Sequence, residues 1–334
     1  MPITLAEMRV GMSDKISQHV VDSFIRESEI LELLPFDNCV SPSGGGSTLI
    51  YGYTQKKLPS ATAFRAINAE YTPNQATTEK KSVELKVFGG SFEIDRVIKQ
   101  AEGMFNNMAF QLDEKVKSAV GTFHNAMING DASVDAKSFD GLDKFLVGQS
   151  TEYGTGAVID LSTMAKVKEN ADVFYEALLN LINSTGAQAI MVNASMKTKI
   201  QTVARILGYK TDSEEAFGRT ITTIDKVRII DLGNVVTTSG EGEDAVAVET
   251  PIIGTKAREV GGASNTGLTD IYAVKFGVED GFHGVTLTGN SAISQYLPDF
   301  KQPGAVKKGE VEMVACVALK NVKAAGVLRN VKIL

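Results

Sequence analysis

Three histidines, two cysteines and a few clustered acids are the residues with which this 334-residue chain could do chemistry. A hydrolytic site needs a nucleophile, a base and an orienting group held together, and a zinc site needs four ligands that usually include a close Cys or His pair. His19, His124 and His283 stand singly in unrelated segments, and Cys39 and Cys316 lie far apart with no histidine beside either. They read as structural histidines and as buried thiols of a reducing compartment. The acids of NGDASVDAKSFDG (129–141) miss the order of a calcium-binding loop and its terminal glutamate, which leaves a solvated loop. SPSGGGS (41–47) and VGGASNTG (260–267) match neither a dinucleotide fingerprint nor a phosphate loop, so they read as turns or hinges. The expectation is a chain with no catalytic residue, no cofactor and no metal.

The elements behind these residues say more. With 43% hydrophobic residues, a chain of this length can bury about three quarters of its unfolded surface, as one large or two medium domains. A net charge of -6, with no basic run longer than two residues, argues against a dedicated reader of nucleic acid. The N-terminus lacks the apolar core of a secretory signal, and no apolar run approaches the roughly 20 residues of a membrane span. A soluble, cytosolically made protein is expected.

One long polar stretch needs explaining: KKLPSATAFRAINAEYTPNQATTEKKS (56–82), with Leu58, Phe64, Ile67 and Tyr71 as its large apolar residues. It is flanked by strand alternation in STLIYGYT, where Leu49, Tyr51 and Tyr53 share a face, and in KSVELKVFGGSFEID, where Val83, Leu85 and Val87 do. The pattern predicts a two-stranded excursion over residues 47–92, marginal alone in water and stabilised by lying on another subunit. Before it, Ile16, Val20, Phe24, Ile30 and Leu34 mark an amphipathic N-terminal helix stopped by Pro35.

After it comes the strongest pattern in the chain. Ile98, Ala101, Phe105, Met108, Leu112, Val116, Ala119, Phe123 and Met127 follow steps of 3 and 4, one face of a helix from Asp95, its expected N-cap, to a stop at Gly130. Gly103 and Gly121 lie within it. Residues 160–235 then read helix, strand, helix, strand, with Val167, Ala171, Phe174, Leu178 and Leu181 on the first helix and Met196, Ile200, Val203 and Leu207 on the second. From 220 onward strands dominate.

This order resembles the major capsid proteins of tailed bacteriophages, the HK97-like fold that encapsulins share. The likeness is carried by SEILELLPF, by VFGGSFEIDR just before the long helix, by DKVRIIDL, by TDIYAVKFGVEDGFHG and by VEMVACVALKNVKAAGVLRNV. It implies an α+β chain with an N-terminal arm (1–46), an extended β-hairpin E-loop (47–94), a P domain (95–150 and 269–320, spine helix 95–129) and an α/β A domain (151–268 and 321–334). It implies a structural protein, not an enzyme: a virion capsid subunit assembled in the host cytoplasm as hexamers and pentamers. Its implied partners are itself, scaffolding and portal proteins, and packaged double-stranded DNA held without sequence specificity, with no membrane.

An encapsulin-like compartment enclosing cargo protein is the alternative. The residues expected to meet a neighbouring subunit are Phe24, Tyr51, Tyr53, Lys56, Lys57, Phe64, Arg65 and Tyr71. One family member welds its shell by a Lys–Asn isopeptide bond assisted by a buried acid. Here the matching strand has Met313, Val314 and Ala315 where that acid is expected and no asparagine before Asn321, so no weld is expected.

Overall fold

A computed structural model describes residues 28–40, 47–58, 60–101, 107–208, 212–216, 219–239, 246–287 and 293–334. The first described turn, α1 (Glu29–Leu33), is capped by Ser28, whose hydroxyl accepts the Leu31 N–H at 3.1 Å, and it buries Ile30 and Leu31. Pro35 turns the chain into β1 (Phe36–Asn38). The earlier part of the expected arm, with Ile16, Val20 and Phe24, lies outside the described residues.

β2 (Ile50–Leu58) and β3 (Thr77–Glu84) form an antiparallel two-stranded ribbon. It is shorter than the alternation predicted. Leu85 is buried and its N–H donates to Leu49 O at 2.8 Å, which closes the ribbon at its base. The next residues form a separate strand, β4 (Lys86–Asp95), which faces Phe92 and Ile94 into the core.

The Asp95 carboxylate accepts the Val97 N–H at 2.7 Å and so caps α2 (Arg96–Ala101), as expected. α3 (Asn107–Asn129) follows. Residues 102–106, including Gly103 and Phe105, lie outside the described residues, so a single unbroken helix from 95 to 129 is not described. On α3, Leu112, Val116, Ala119, Phe123 and Met127 are all buried, as their spacing required.

α4 (Leu142–Leu146) is joined by a loop to the short strands β5 (Glu152–Tyr153) and β6 (Ile159–Asp160). α5 (Met164–Thr185) starts at the Thr163 cap and ends at Gly186 in the left-handed conformation (φ 60°). β7 (Ala189–Val192), α6 (Ala194–Ile206), β8 (Asp212–Ala216), β9 (Arg219–Ile224) and β10 (Val227–Asp231) complete an α/β unit in which β7 and β10 run parallel. Then come β11 (Asn234–Ser239), β12 (Val246–Pro251), β13 (Lys256–Val260), β14 (Ala263–Val274), β15 (Phe282–Thr286), β16 (Ile293–Tyr296), β17 (Val306–Leu319) and β18 (Ala325–Lys332).

Two sheets organise the chain. The larger runs β5-β18-β14-β7-β10-β9-β8, with β6 added to β18 and β13 to β14. In the smaller, β17 carries β4 on one edge and β15 and β16 on the other, with β1 parallel outside β15. The final strand joins the larger sheet. Thr269–Val274 also lies there, not with the smaller sheet, because Tyr272 pairs with Met191 on one side and Val327 on the other. An apolar run such as TDIYAV reads the same in either sheet.

β7 is a shared wall. Ile190 and Val192 face the core under α5 and α6, while Ala189 and Met191 face the core around α3 and the smaller sheet. Alternation along one fully buried strand thus feeds both cores.

The register of the smaller sheet is fixed by rings laid over glycines. Phe36 pairs with Gly284 and Phe92 with Gly309, and a Cβ on Gly284 would sit 2.3 Å from the Phe36 ring, one on Gly309 2.5 Å from Phe92. Phe36 in turn meets Phe123, which also touches Phe88 and Phe139. Gly284→Ala is therefore expected to lower stability by about 1–3 kcal/mol, as overpacking does. Urea unfolding reads this directly, and an unchanged midpoint would show that the ring can move aside.

Candidate functional site

The ribbon of β2 and β3 is tied to the body at its root. Tyr51 and Tyr53 alternate onto the face that covers the smaller sheet: Tyr53 is buried, and the half-buried Tyr51 donates its hydroxyl to Asp37 Oδ2 at 2.6 Å. The edge of the Tyr51 ring meets the buried His283 ring (centroids 5.8 Å apart), and Lys320 Nζ stands 5.3 Å from its centre. Burial disfavours the Asp37 carboxylate, but the Tyr51 hydroxyl, the Asn38 N–H and the nearby Lys320 and His283 outweigh it and hold the group below the usual range. Burial, then the Asp37 carboxylate, pushes the Tyr51 phenol upward. The hydrogen bond thus joins an ionised acceptor to a neutral donor, the stronger kind.

The far end of the ribbon is different in character. Residues 60–76 form no regular strand, yet they are knit locally. Asn74 Oδ1 accepts the Ala61 N–H at 2.9 Å, Arg65 donates to Ala66 O and Ala69 O at 3.3 Å, and the Arg65 guanidinium lies 5.4 Å from the centre of the Tyr71 ring. This knot holds apolar side chains outward: Phe64 is 106% exposed and Ile67 92%. Burying one such side chain is worth roughly 1.5–3 kcal/mol, which this chain leaves unused on its own surface.

Of the residues expected to meet a neighbour, Lys56, Lys57, Phe64, Arg65 and Tyr71 are exposed along the ribbon and its tip, and Phe24 lies outside the described residues. Tyr51 and Tyr53 are engaged within their own chain. Alternation places residues on a common face without saying what covers it, so the sequence could not separate the two groups. Within the strand-rich region after residue 220 the sequence did not mark a second ribbon, β11 with β12, whose valines Val236, Val246 and Val248 are exposed.

The start of α1 is held by His124 on α3. Ser28 Oγ and His124 Nε2 share a hydrogen bond at 2.7 Å, and a backbone hydrogen bond at Leu232 favours the charged ring. The residue is 6% exposed, and burial pulls its pKa down to about 4 against the weaker upward pull of Leu232. Glu29, Lys117 and Asp231 line the same cavity of about 400 Å³. The unfolded chain takes up this proton near 6.5 and the fold only near 4, so His124's contribution is full above about pH 6.5 and is lost as pH falls towards 4. Over that window the loss amounts to about 3 kcal/mol. Urea titrations from pH 7 to pH 4 should show this slope, and His124→Gln should flatten it.

Among the described residues, no group of His, Cys, Asp and Glu could hold a metal ion, and both cysteines are buried and free. No described helix is long and apolar enough to cross a membrane.

No protein-family model matches the sequence, and a search of the curated proteins finds no match. Solved structures do match. The holo-SrpI encapsulin complex from Synechococcus elongatus aligns over 91% of this chain and 87% of its own, with a TM-score of 0.58 at 13% identity. The capsid of a native GTA particle aligns over 92% and 89%, with a TM-score of 0.55 at 10% identity. The chain has the HK97-like fold. The empty GTA particle's capsid gives the same result, with a TM-score of 0.52 at 10% identity, over 91% of this chain and 96% of that one. At these identities the likeness is one of fold, and the HK97-like architecture is what the sequence pattern implied.

Proposed function

We propose that this chain is the major capsid protein of a tailed bacteriophage, assembling as hexamers and pentamers into an icosahedral shell around double-stranded DNA. The observation that carries the reading is the ribbon of β2 and β3: tied to its own body through Tyr51, it presents Phe64 and Ile67 to solvent at its far end. A chain with a large core of its own gains nothing from such a tip unless a neighbour covers it. The matched capsids and encapsulin support a shell.

In this reading residues 1–46 are the arm, the ribbon and its surroundings (47–94) the E-loop, the long helix with the rest of the smaller sheet the P domain, and the α/β unit with the larger sheet the A domain. Lys56, Lys57, Phe64, Arg65 and Tyr71 contact the adjacent subunit; Tyr51 and Tyr53 set the ribbon's direction. Phe24 contributes through the arm. Scaffolding and portal proteins are the further partners, the DNA is held without sequence specificity, and assembly takes place in the host cytoplasm, giving a virion capsid. The encapsulin match supports a second reading, a compartment around cargo protein.

Negative-stain electron microscopy with light scattering on the purified protein tests the proposal. Closed shells or capsomer rings support it, nuclease-protected DNA in particles from the native source separates the two readings, and a monomer that persists when the scaffolding partner is supplied overturns both. Denaturing gels of assembled particles should show a single monomer band. The strand that would supply the acid and asparagine of a covalent weld instead carries the buried Met313 and Ala315 and half-buried Val314. A ladder of multimers would contradict this.

A further inference from the structure

Beneath the root of the β2–β3 ribbon, three strands set a row of side chains: Asp37 on β1 pairs with Val285 on β15, which pairs with Cys316 on β17. His283 lies two residues before Val285 and so faces the same side. Its ring is 0% exposed and meets the ring of Tyr51, whose hydroxyl holds Asp37. His283 Nδ1 lies 3.3 Å from Gly281 O, and a carbonyl can only accept, so Nδ1 carries the ring proton and Nε2 presents a lone pair. Among the described residues no group hydrogen-bonds Nε2. A buried acceptor left bare is a place where a proton can add, and such a group calls for an explanation.

Burial acts most strongly on this ring and disfavours its charged form; the Gly281 and Gly277 carbonyls and Asp37 favour that form, and Lys320 opposes it, with a net downward pull. In the turn before it, Lys275 and Asp280 pair with each other at 2.7 Å. The thiols of Cys39 and Cys316 near Tyr51 are pushed up by burial and stay neutral. Tyr51 completes the burial, so lifting it away hydrates His283 and frees the ring to take up a proton. Linkage runs both ways: His283 supports the docked ribbon fully at neutral pH, and that support is lost as pH falls. A charged ring also competes with the Tyr51 hydroxyl for the Asp37 carboxylate. Asp37, held below the usual carboxylate range while docked, works in the same direction at lower pH.

We propose that the root of the β2–β3 ribbon is a proton-sensitive latch: the ribbon lies on the smaller sheet while His283 is neutral and swings off it when that ring takes up a proton. The device goes beyond the shell reading, because it sets where a single subunit points its tip. It belongs to one chain and operates whether or not particles form.

The thiols under the ribbon report its position. The full-length subunit is labelled with 4,4′-dithiodipyridine between pH 7 and pH 5, with rates normalised to glutathione at each pH, labelled peptides read by mass spectrometry and the fold followed by far-UV circular dichroism. Cys39 and Cys316 should label about tenfold faster at pH 5, the change that one linked proton gives over about one pH unit. His283→Asn should remove the rise, and His124, intact in both proteins, cannot account for the difference. Equal rates at the two pH values, or the same rise in His283→Asn, overturn the latch. Where that variant does not fold, Lys320→Met decides: its midpoint of opening should move to higher pH with labelling at pH 7 still slow, because the ammonium opposes the charged ring. An unmoved midpoint overturns the latch. None of these outcomes touches the shell reading, which the particles themselves decide.

Discussion

Arg329→Met is expected to lower the stability of the subunit by about 3–5 kcal/mol, as breaking a buried ion pair does. Arg329, on β18, is 8% exposed in its side chain and is surrounded by acids from three other elements. Its Nε donates to Glu152 Oε1 on β5 at 2.8 Å, and its Nη1 donates to Asp143 on α4 and, at 3.2 Å, to Asp270 on β14.

Arg258 on β13 grips Asp270 with both of its terminal nitrogens, at 2.6 and 2.5 Å. Lys256 reaches Asp143 at 3.2 Å, and the Tyr272 hydroxyl donates to Asp143 at 3.0 Å. Burial disfavours the charged Asp143, but Arg329 and Lys256 outweigh it and hold its carboxyl below the usual range, so Asp143 stays ionised through the neutral range. Three cations balance three carboxylates, and losing Arg329 leaves the almost fully buried Asp270 with Arg258 and the Asn330 N–H among the described residues. Chemical denaturation measures the loss. Adding Asp143→Leu should recover part of it by removing an unbalanced charge, and a cost below about 1 kcal/mol would mean that water takes the place of the guanidinium.

Replacing residues 59–76 with Asn-Gly should abolish assembly while leaving the subunit folded. Leu58 and Thr77 already pair across the ribbon, and Asn-Gly is suited to a two-residue hairpin turn between them. The change removes Phe64, Arg65, Ile67 and Tyr71 but keeps Tyr51, Tyr53 and the lysines at 56 and 57. The lost large side chains are exposed, so the unfolding free energy should stay within about 0.5 kcal/mol of the parent. Light scattering and electron microscopy decide the outcome. Shells of normal size and yield would remove the tip from the assembly contact.

What could be read in advance followed from local periodicity and local chemistry. The buried faces of α3 and α5, the Asp95 cap and the stop of α3 before Gly130 follow from local sequence, and each is found where the sequence put it. The Arg329 cluster was invisible for the opposite reason. Its members at 143, 152, 258, 270 and 329 share no spacing and meet only through the pairing of β5, β13, β14 and β18 and the packing of α4 on β18. The ribbon's early end was hidden too, because VELKVFGG alternates across Leu85 without a break and only the pairing of β4 with β17 divides it. For the candidate site, composition marked the polar tip correctly as a segment facing outward, whereas the inward turn of Tyr51 depends on Asp37, fourteen residues away and on another strand.

The shared wall at β7 sets how the molecule comes apart. Adjacent residues Ile190 and Met191 belong to different cores, so neither core can melt without exposing the strand that the other also needs. The two sheets are therefore expected to lose structure together, in one cooperative transition.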